Sequence, residues 1–258
     1  MSAPEASEPQ GSDPTDSDLQ DSDLQDSARA HARLALVALT AGTASLDVTA
    51  FFRLGGVFAS VMTSNLVFVG VAVVKTEAAF GVRCAVAILS YIVGVGLGSA
   101  IAPPSGRENR LGARPLSLLL TGELVILVGY AIWWMALDAR PVGWARLALL
   151  GGIALAMGGQ SAAARQLGNP NAGTTYLTGT LTSLVSTLSA RRRPDPESIA
   201  VLVALLVGAG AAAALIDAAP VTVPLLALAG VGTAVALSWR ISRTAGPSSE
   251  QPAAKREG

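Results

Sequence analysis

Eight stretches of this chain are apolar over lengths near that of a bilayer, and a backbone in lipid must satisfy its own hydrogen bonds, which leaves helices. They run Leu34 to Phe52, Gly55 to Val74, Phe80 to Ala102, Leu116 to Leu137, Trp144 to Ala164, Gly173 to Leu188, Ile199 to Ile216 and Val221 to Trp239. The sixth differs in kind: six of its sixteen residues are Thr and two are Ser, a poor composition for facing lipid on all sides. Charged residues make up only 14% of the chain, against about a quarter in soluble proteins. The expected fold is an all-α, polytopic transmembrane helix bundle with six to eight spans.

The flanks differ from this body. Eight of the 18 acidic residues, Glu5, Glu8, Asp13, Asp16, Asp18, Asp21, Asp23 and Asp26, precede the first apolar stretch, and no Lys or Arg occurs before Arg29. Residues 1–33 contain DSDLQ twice in tandem and little apolar surface to bury, which predicts a disordered acidic tail. Residues 241–258, with Pro247, Ser248, Ser249 and Pro252, read as a second disordered tail. A polar segment of this length ahead of the first apolar core does not fit a signal peptide. Trp133, Trp134, Trp144 and Trp239 fall at segment ends, where headgroup anchoring is expected.

Whole classes of chemistry are excluded by what the chain lacks. One cysteine, Cys84, cannot form an intrachain disulfide, and one histidine, His31, supplies neither a catalytic triad nor a two-histidine metal site. There is no phosphate-binding GxxxxGK[ST] and no HExxH. Gly94-Val95-Gly96-Leu97-Gly98 lies inside an apolar stretch and reads as a close helix contact. No enzyme, cofactor, metal or nucleic-acid partner is therefore expected; the expected partners are the lipid bilayer and a small solute or ion.

Two of the apolar stretches carry polar centres at corresponding places: Met62-Thr63-Ser64-Asn65, and about 115 residues later Leu177-Thr178-Gly179-Thr180. Leu54-Gly55 aligns with Leu167-Gly168, which pairs Asp47 with Gln160 at an offset of 113, and Val93 to Gly96 aligns with Val207 to Gly210 at 114. The chain thus divides into two internal repeats, 34–137 and 144–240, joined by a connecting loop at 138–143. If the second and sixth stretches cross the membrane, each repeat has four spans and the two are parallel. If both are re-entrant, each has three and they are inverted. The Lys and Arg residues are equally lopsided under six and eight spans, so the positive-inside rule puts both termini in the cytoplasm without choosing between them.

Polar side chains inside spans are costly and mark functional positions. Asp47, Thr63, Asn65, Glu123, Gln160, Arg165, Thr178 and Thr180 are the candidates for lining a solute pathway. For Asp47 the readings are a proton or cation site, a charge paired with Arg53 or Arg165, or a water-exposed carboxylate without further role. Each Ser and Thr has a second reading as a group that bonds back to its helix or joins helices. A transporter or channel-like protein is one outcome, and a non-transporting membrane scaffold or accessory protein is the other.

The run Ala38 to Asn65, ALTAGTASLDVTAFFRLGGVFASVMTSN, and the run Met157 to Leu184, MGGQSAAARQLGNPNAGTTYLTGTLTSL, resemble the YoaK family of bacterial multi-pass membrane proteins, a domain-of-unknown-function family. The resemblance covers about residues 34–240. Asp47, Gly55, Gly56, Met62, Thr63, Asn65, Gln160, Arg165, Thr178 and Gly179 match the family pattern, whereas Ser64 stands where glycine is usual. It implies an integral protein of the bacterial cytoplasmic membrane, and no particular substrate.

Overall fold

In the computed structural model, residues 16–101, 113–166, 179, 181–182, 184–186 and 196–244 are described. Seven helices have bounds among them: α1 Asp16–Arg53, α2 Met62–Val74, α3 Ala78–Ile101, α4 Ala113–Ala136, α5 Gly143–Gln166, α6 Pro196–Ala218 and α7 Pro224–Thr244. A short 3-10 turn, Pro220–Thr222, leads into α7. Five helical stretches are long and apolar enough to cross a bilayer: Arg29–Arg53, Ala78–Ile101, Ser117–Ala136, Pro196–Ala218 and Pro220–Arg240. The 24-residue α5 is less apolar, because Gly151, Gly152, Gly158, Gly159, Gln160 and Ser161 dilute it. It lies packed between α3 and α4, with Leu149, Leu150, Ile153, Ala154 and Met157 all buried. Small residues suit a helix whose neighbours are protein on most sides.

Contacts along the helices give their directions. Arg33 pairs with Glu197 at 3.1 Å, Ala41 lies against Gly208, and Arg53 reaches the carbonyl of Ile216 at 2.7 Å, so α1 and α6 run parallel. Gly42 lies against Ala227 and Gly230, and Gly230 against Ala38, so α7 runs against α1. The Trp134 indole, near the end of α4, donates to the Pro220 carbonyl just before α7, at 2.9 Å, which makes those two antiparallel. Gly151 meets Val86 and Ser90 while Gly158 meets Tyr91 and Val95, so α3 and α5 are parallel. Thus α1, α4 and α6 cross one way, and α3, α5 and α7 cross the other.

This pattern removes the eight-span alternative. The end of α1 and the start of α3 lie at one face of the membrane, and Arg83 in the first turns of α3 donates to the Gly55 carbonyl at 2.9 Å. The expected span Gly55 to Val74 is a loop over residues 54–61 followed by the 13-residue α2, which rises only about 20 Å and returns to the face it came from. Gly55 and Gly56, at φ +117° and +80°, turn the chain back where an L-residue would be strained. The end of α5 and the start of α6 also lie at a single face, the opposite one. With three crossings each, α1, α3 and α4 form one half and α5, α6 and α7 an inverted second half.

The halves are packed across each other. A Cβ placed on Gly94 of α3 would run into the carbonyl oxygen of Leu155 in α5, and one on Gly208 of α6 into that of Ala41 in α1. Gly94 and Gly208 are 114 residues apart, as are Ala41 and Leu155, so the same contact is made twice in register. The first helix of each half therefore packs against the second spanning helix of the other. One apolar core joins them, drawing Leu46, Ala50 and Leu54 from α1 and its exit, Leu127 and Trp134 from α4, Ile153 and Met157 from α5, and Val231 from α7.

Two sequence expectations are corrected. Helix α1 begins at Asp16, so the DSDLQ repeats are helical where composition predicts disorder through residue 33. The segment between Asp16 and Arg33 contains no proline, and a helix already nucleated in the bilayer extends at little cost. Trp134 is completely buried in the core and is no headgroup anchor, whereas Trp144 and Trp239 are exposed and Trp133 lies 5.2 Å from the Trp144 ring. Residues 1–15 and 245–258 lie outside the described residues.

Two experiments follow from this packing. In a Cys84→Ala background, single cysteines at Lys75 and Arg140 should be labelled by a membrane-impermeant maleimide from the face opposite Ser27→Cys; labelling of Lys75→Cys and Ser27→Cys from one face would restore eight spans. Gly94→Leu and Gly208→Leu should each destabilise the detergent-solubilised protein by about 3 kcal/mol or more through overpacking. Gly96→Leu and Gly210→Leu, at positions with open space around them, should leave the melting temperature unchanged or raised, as leucine is the better helix former.

Candidate functional site

The site is built around the chain reversal at residues 54–61. Asp47 lies six residues before the end of α1, about 9 Å down the helix axis. Its Oδ1 accepts the backbone N–H of Ala59 and of Ser60, both at 2.8 Å, and its Oδ2 accepts a short hydrogen bond from the Ser60 hydroxyl. These amides belong to no helix, and within a bilayer each would cost several kcal/mol if left without a partner. One carboxylate in the preceding helix thus satisfies three donors of the loop.

Asn65 completes the fastening from the other side. Its side chain is fully buried; its Oδ1 accepts the Phe58 N–H at 3.0 Å, and its Nδ2 donates to the Phe58 carbonyl at 2.7 Å. A carboxamide can accept and donate at one site in this way, which an ionised carboxylate cannot. Around the loop a row of rings, Phe51 on Phe58 at 5.3 Å, Phe58 on Phe68 at 6.2 Å and Phe68 on Phe80 at 5.6 Å, ties α1, α2 and α3 together. The Arg83 guanidinium sits 5.5 Å from the centre of the Phe80 ring.

A second polar contact joins the halves. The Thr43 hydroxyl of α1 donates to Oε1 of the buried Gln160 in α5, at 3.1 Å. Thr43 lies one turn before Asp47, so α1 presents a polar group to its own loop and another to the opposite half. The other buried hydroxyls of α1 are turned inward on their own helix: Thr40 donates to the Leu36 carbonyl at 2.8 Å, Ser45 to Gly42 at 2.7 Å and Thr49 to Ser45 at 2.7 Å. Bonds of this kind make hydroxyls tolerable in an apolar interior. Among the described residues no cluster of three His, Cys, Asp or Glu side chains is placed to hold a metal.

Of the residues singled out in the sequence, Asp47 and Asn65 are brought together on one loop, and their polar atoms are engaged by it. Asp47 makes no pair with Arg53, whose guanidinium instead donates to the Ile216 carbonyl near the end of α6. Gln160 meets Thr43, away from the Asp47 carboxylate. Thr63 is exposed in the first turn of α2. Glu123 stands apart, buried on α4 with neither carboxylate oxygen hydrogen-bonded. Thr178, Thr180 and the side chain of Arg165 lie outside the described residues. Thr43 and Ser60 were missed by the sequence reading. Thr43 carried a signal, its i−4 spacing from Asp47; Ser60 carried none, because it acts through a loop whose path the sequence does not display.

Comparison with known proteins places the chain among transmembrane proteins. A family model described as a protein of unknown function, DUF1275, matches residues 35–238. The UPF0700 transmembrane protein YoaK of Bacillus subtilis (strain 168) is 33% identical over 158 residues, 61% of this chain and 67% of that protein. No solved structure matches.

The fastening of the loop is open to measurement. Asp47→Ala leaves two backbone N–H groups without partners at about 1–3 kcal/mol each, so the detergent-solubilised variant should lose about 3 kcal/mol, against about 1 kcal/mol for Ser60→Ala. Asp47→Asn should fall between them, and a cysteine at Phe58 should react with a water-soluble maleimide in the Asp47→Ala background only. Equal stability of Asp47→Ala and the parent would remove the loop's dependence on this carboxylate.

Proposed function

This chain belongs to the DUF1275 family, and from its architecture we propose that it moves a small solute or an ion across the bacterial cytoplasmic membrane through a polar site where its two halves meet. The observation that carries the reading is the crossing of α1 and α5 at the Thr43–Gln160 hydrogen bond. These are the first helices of two inverted halves, each packed against the other half. Inverted repeats of this kind in transporters put the solute site at the repeat interface near the midplane, and access alternates as one half rocks against the other. A hydrogen bond between moving bodies can open to a solute and close again.

In this reading the protein is not an enzyme and uses no cofactor or nucleic acid; its partners are the bilayer and the solute. The excess of Lys and Arg on the side of the N-terminus supports a cytoplasmic location for both termini. Asp47 and Asn65 shape the re-entrant element and leave the solute to Thr43 and Gln160. The competing reading, a membrane scaffold, is favoured by that same engagement of Asp47 and Asn65, since polar groups consumed by a loop are free to bind nothing else.

Purified protein in liposomes, screened with radiolabelled amino acids, organic acids, sugars, nucleobases and monovalent cations, tests the choice. Flux should appear for one class, and Thr43→Val and Gln160→Leu should each reduce it about tenfold, the equivalent of about 1.4 kcal/mol in a transition state, with the melting temperature lowered by no more than a few degrees. Absence of flux across the whole panel from folded protein, or flux indifferent to both substitutions, overturns the proposal.

A further inference from the structure

One costly group among the described residues is not used by the fold. Glu123 is 4% exposed, and neither Oε1 nor Oε2 has a hydrogen-bond partner. It lies six residues into the span Ser117–Ala136, about 9 Å along the axis from Ser117. Its face of α4 is the buried one, shared with Ser117, Leu120, Leu127, Tyr130 and Trp134, and α4 packs chiefly against α5 and α7. The carboxyl therefore sits where one half meets the other.

Among the described residues no counter-ion faces it. Helix α5 has no charged or titratable residue between Leu147 and Ser161, and α7 with the preceding turn has none between Pro220 and Trp239. Arg146, near the start of α5, is taken by the Pro141 carbonyl at 3.1 Å. Helix α3, which only brushes α4, carries Arg83, Cys84 and Tyr91, and its Arg83 is held by Gly55. On α4 itself the nearest titratable group is Tyr130, two turns on, whose buried hydroxyl also lacks a partner.

Contrast with Asp47 gives this arrangement its meaning. Asp47 accepts three hydrogen bonds that the loop needs, so its carboxylate has a structural task. Glu123 accepts none, and an uncompensated anion enclosed in a bilayer costs several kcal/mol; for packing alone a leucine or glutamine would serve better. We infer that Glu123 is the proton-exchanging group of this protein: its carboxyl holds a proton while enclosed between α4, α5 and α7, and surrenders it to water when the halves separate. The exchange is a single O–H bond broken at the carboxyl and formed at water, with no further reactant. The inference rests on the transport reading and adds the proton as the coupled ion.

Dicyclohexylcarbodiimide, an apolar reagent that modifies protonated carboxyls shielded from water, provides the test on the full chain in liposomes. Peptide mass spectrometry should place the adduct on Glu123 and none on Asp47. Labelling should fall as the pH rises and vanish in Glu123→Gln, and the melting temperature of Glu123→Gln and of Glu123→Leu should equal or exceed that of the parent, since no bond is lost. An adduct on Asp47 in place of Glu123, labelling independent of pH, or a destabilised Glu123→Gln overturns the inference. Labelling as expected with a silent flux screen removes the transport reading and leaves the proton site standing; flux without labelling does the reverse.

Discussion

Everything distinctive in this bundle depends on one carboxylate accepting the amides of a loop that has no helix to satisfy them. In a bilayer, non-helical backbone survives only where protein or trapped water supplies its hydrogen bonds. Asp47 supplies them to Ala59 and Ser60, and Asn65 supplies them to Phe58. With those bonds made, the chain can leave α1, reverse inside the membrane and emerge through α2 on the same face. Without them, the apolar run from Gly55 to Val74 would do better as one continuous helix. That helix would reach the other face and reverse the direction of every helix after it.

The reversal in turn determines how the halves relate. Three crossings per half, an odd number, place the second half upside down relative to the first, and inversion makes the cross-packing reciprocal. Gly94 admits the backbone of α5, and Gly208 admits that of α1, through the same contact displaced by 114 residues. A membrane interior offers little hydrophobic drive for helices to associate, so close backbone approach at small residues has to do it. Those glycines sit on the inner face of each helix, while Gly96 and Gly210, also 114 apart, face open space. The repeated glycine pair is therefore half contact and half incidental, a distinction made by helix rotation.

Much of this was legible in the residues. The apolar lengths determined the class, the offset near 114 revealed the repeat, and Asp47, Asn65 and Gln160 stood out as polar groups in lipid-length segments. What could not be read was direction. The basic residues are balanced between six and eight spans, and the deciding facts are pairings such as Arg33 with Glu197 and Trp134 with Pro220, which are distant in sequence and individually unremarkable in type. Asp47 looked like a site for a proton or a cation because a carboxylate in a span is expensive; its partners are backbone N–H groups, which every residue carries and no pattern marks. Trp134 was misplaced for a related reason: an aromatic at the end of a span serves equally at the headgroups or in a core, and the carbonyl of Pro220 decides which. The helical start at Asp16 shows that composition describes a free segment better than one continuous with a span.

Asp47 and Glu123 show that burial of a charge has no fixed meaning. Both are carboxyls in the spans of the first half, and from the sequence alone Asp47 was the stronger functional candidate, through its alignment with Gln160. Their hydrogen bonds set the two apart. A carboxylate with three donors is explained by the loop it holds, whereas one with none is left unexplained by the fold, and an unexplained cost in a membrane interior is the mark of a group retained for what it does. The positions agree with this division. Asp47 serves a loop within its own half, whereas Glu123 lies on α4, which packs against α5 and α7 of the other half, so movement between the halves would change its surroundings.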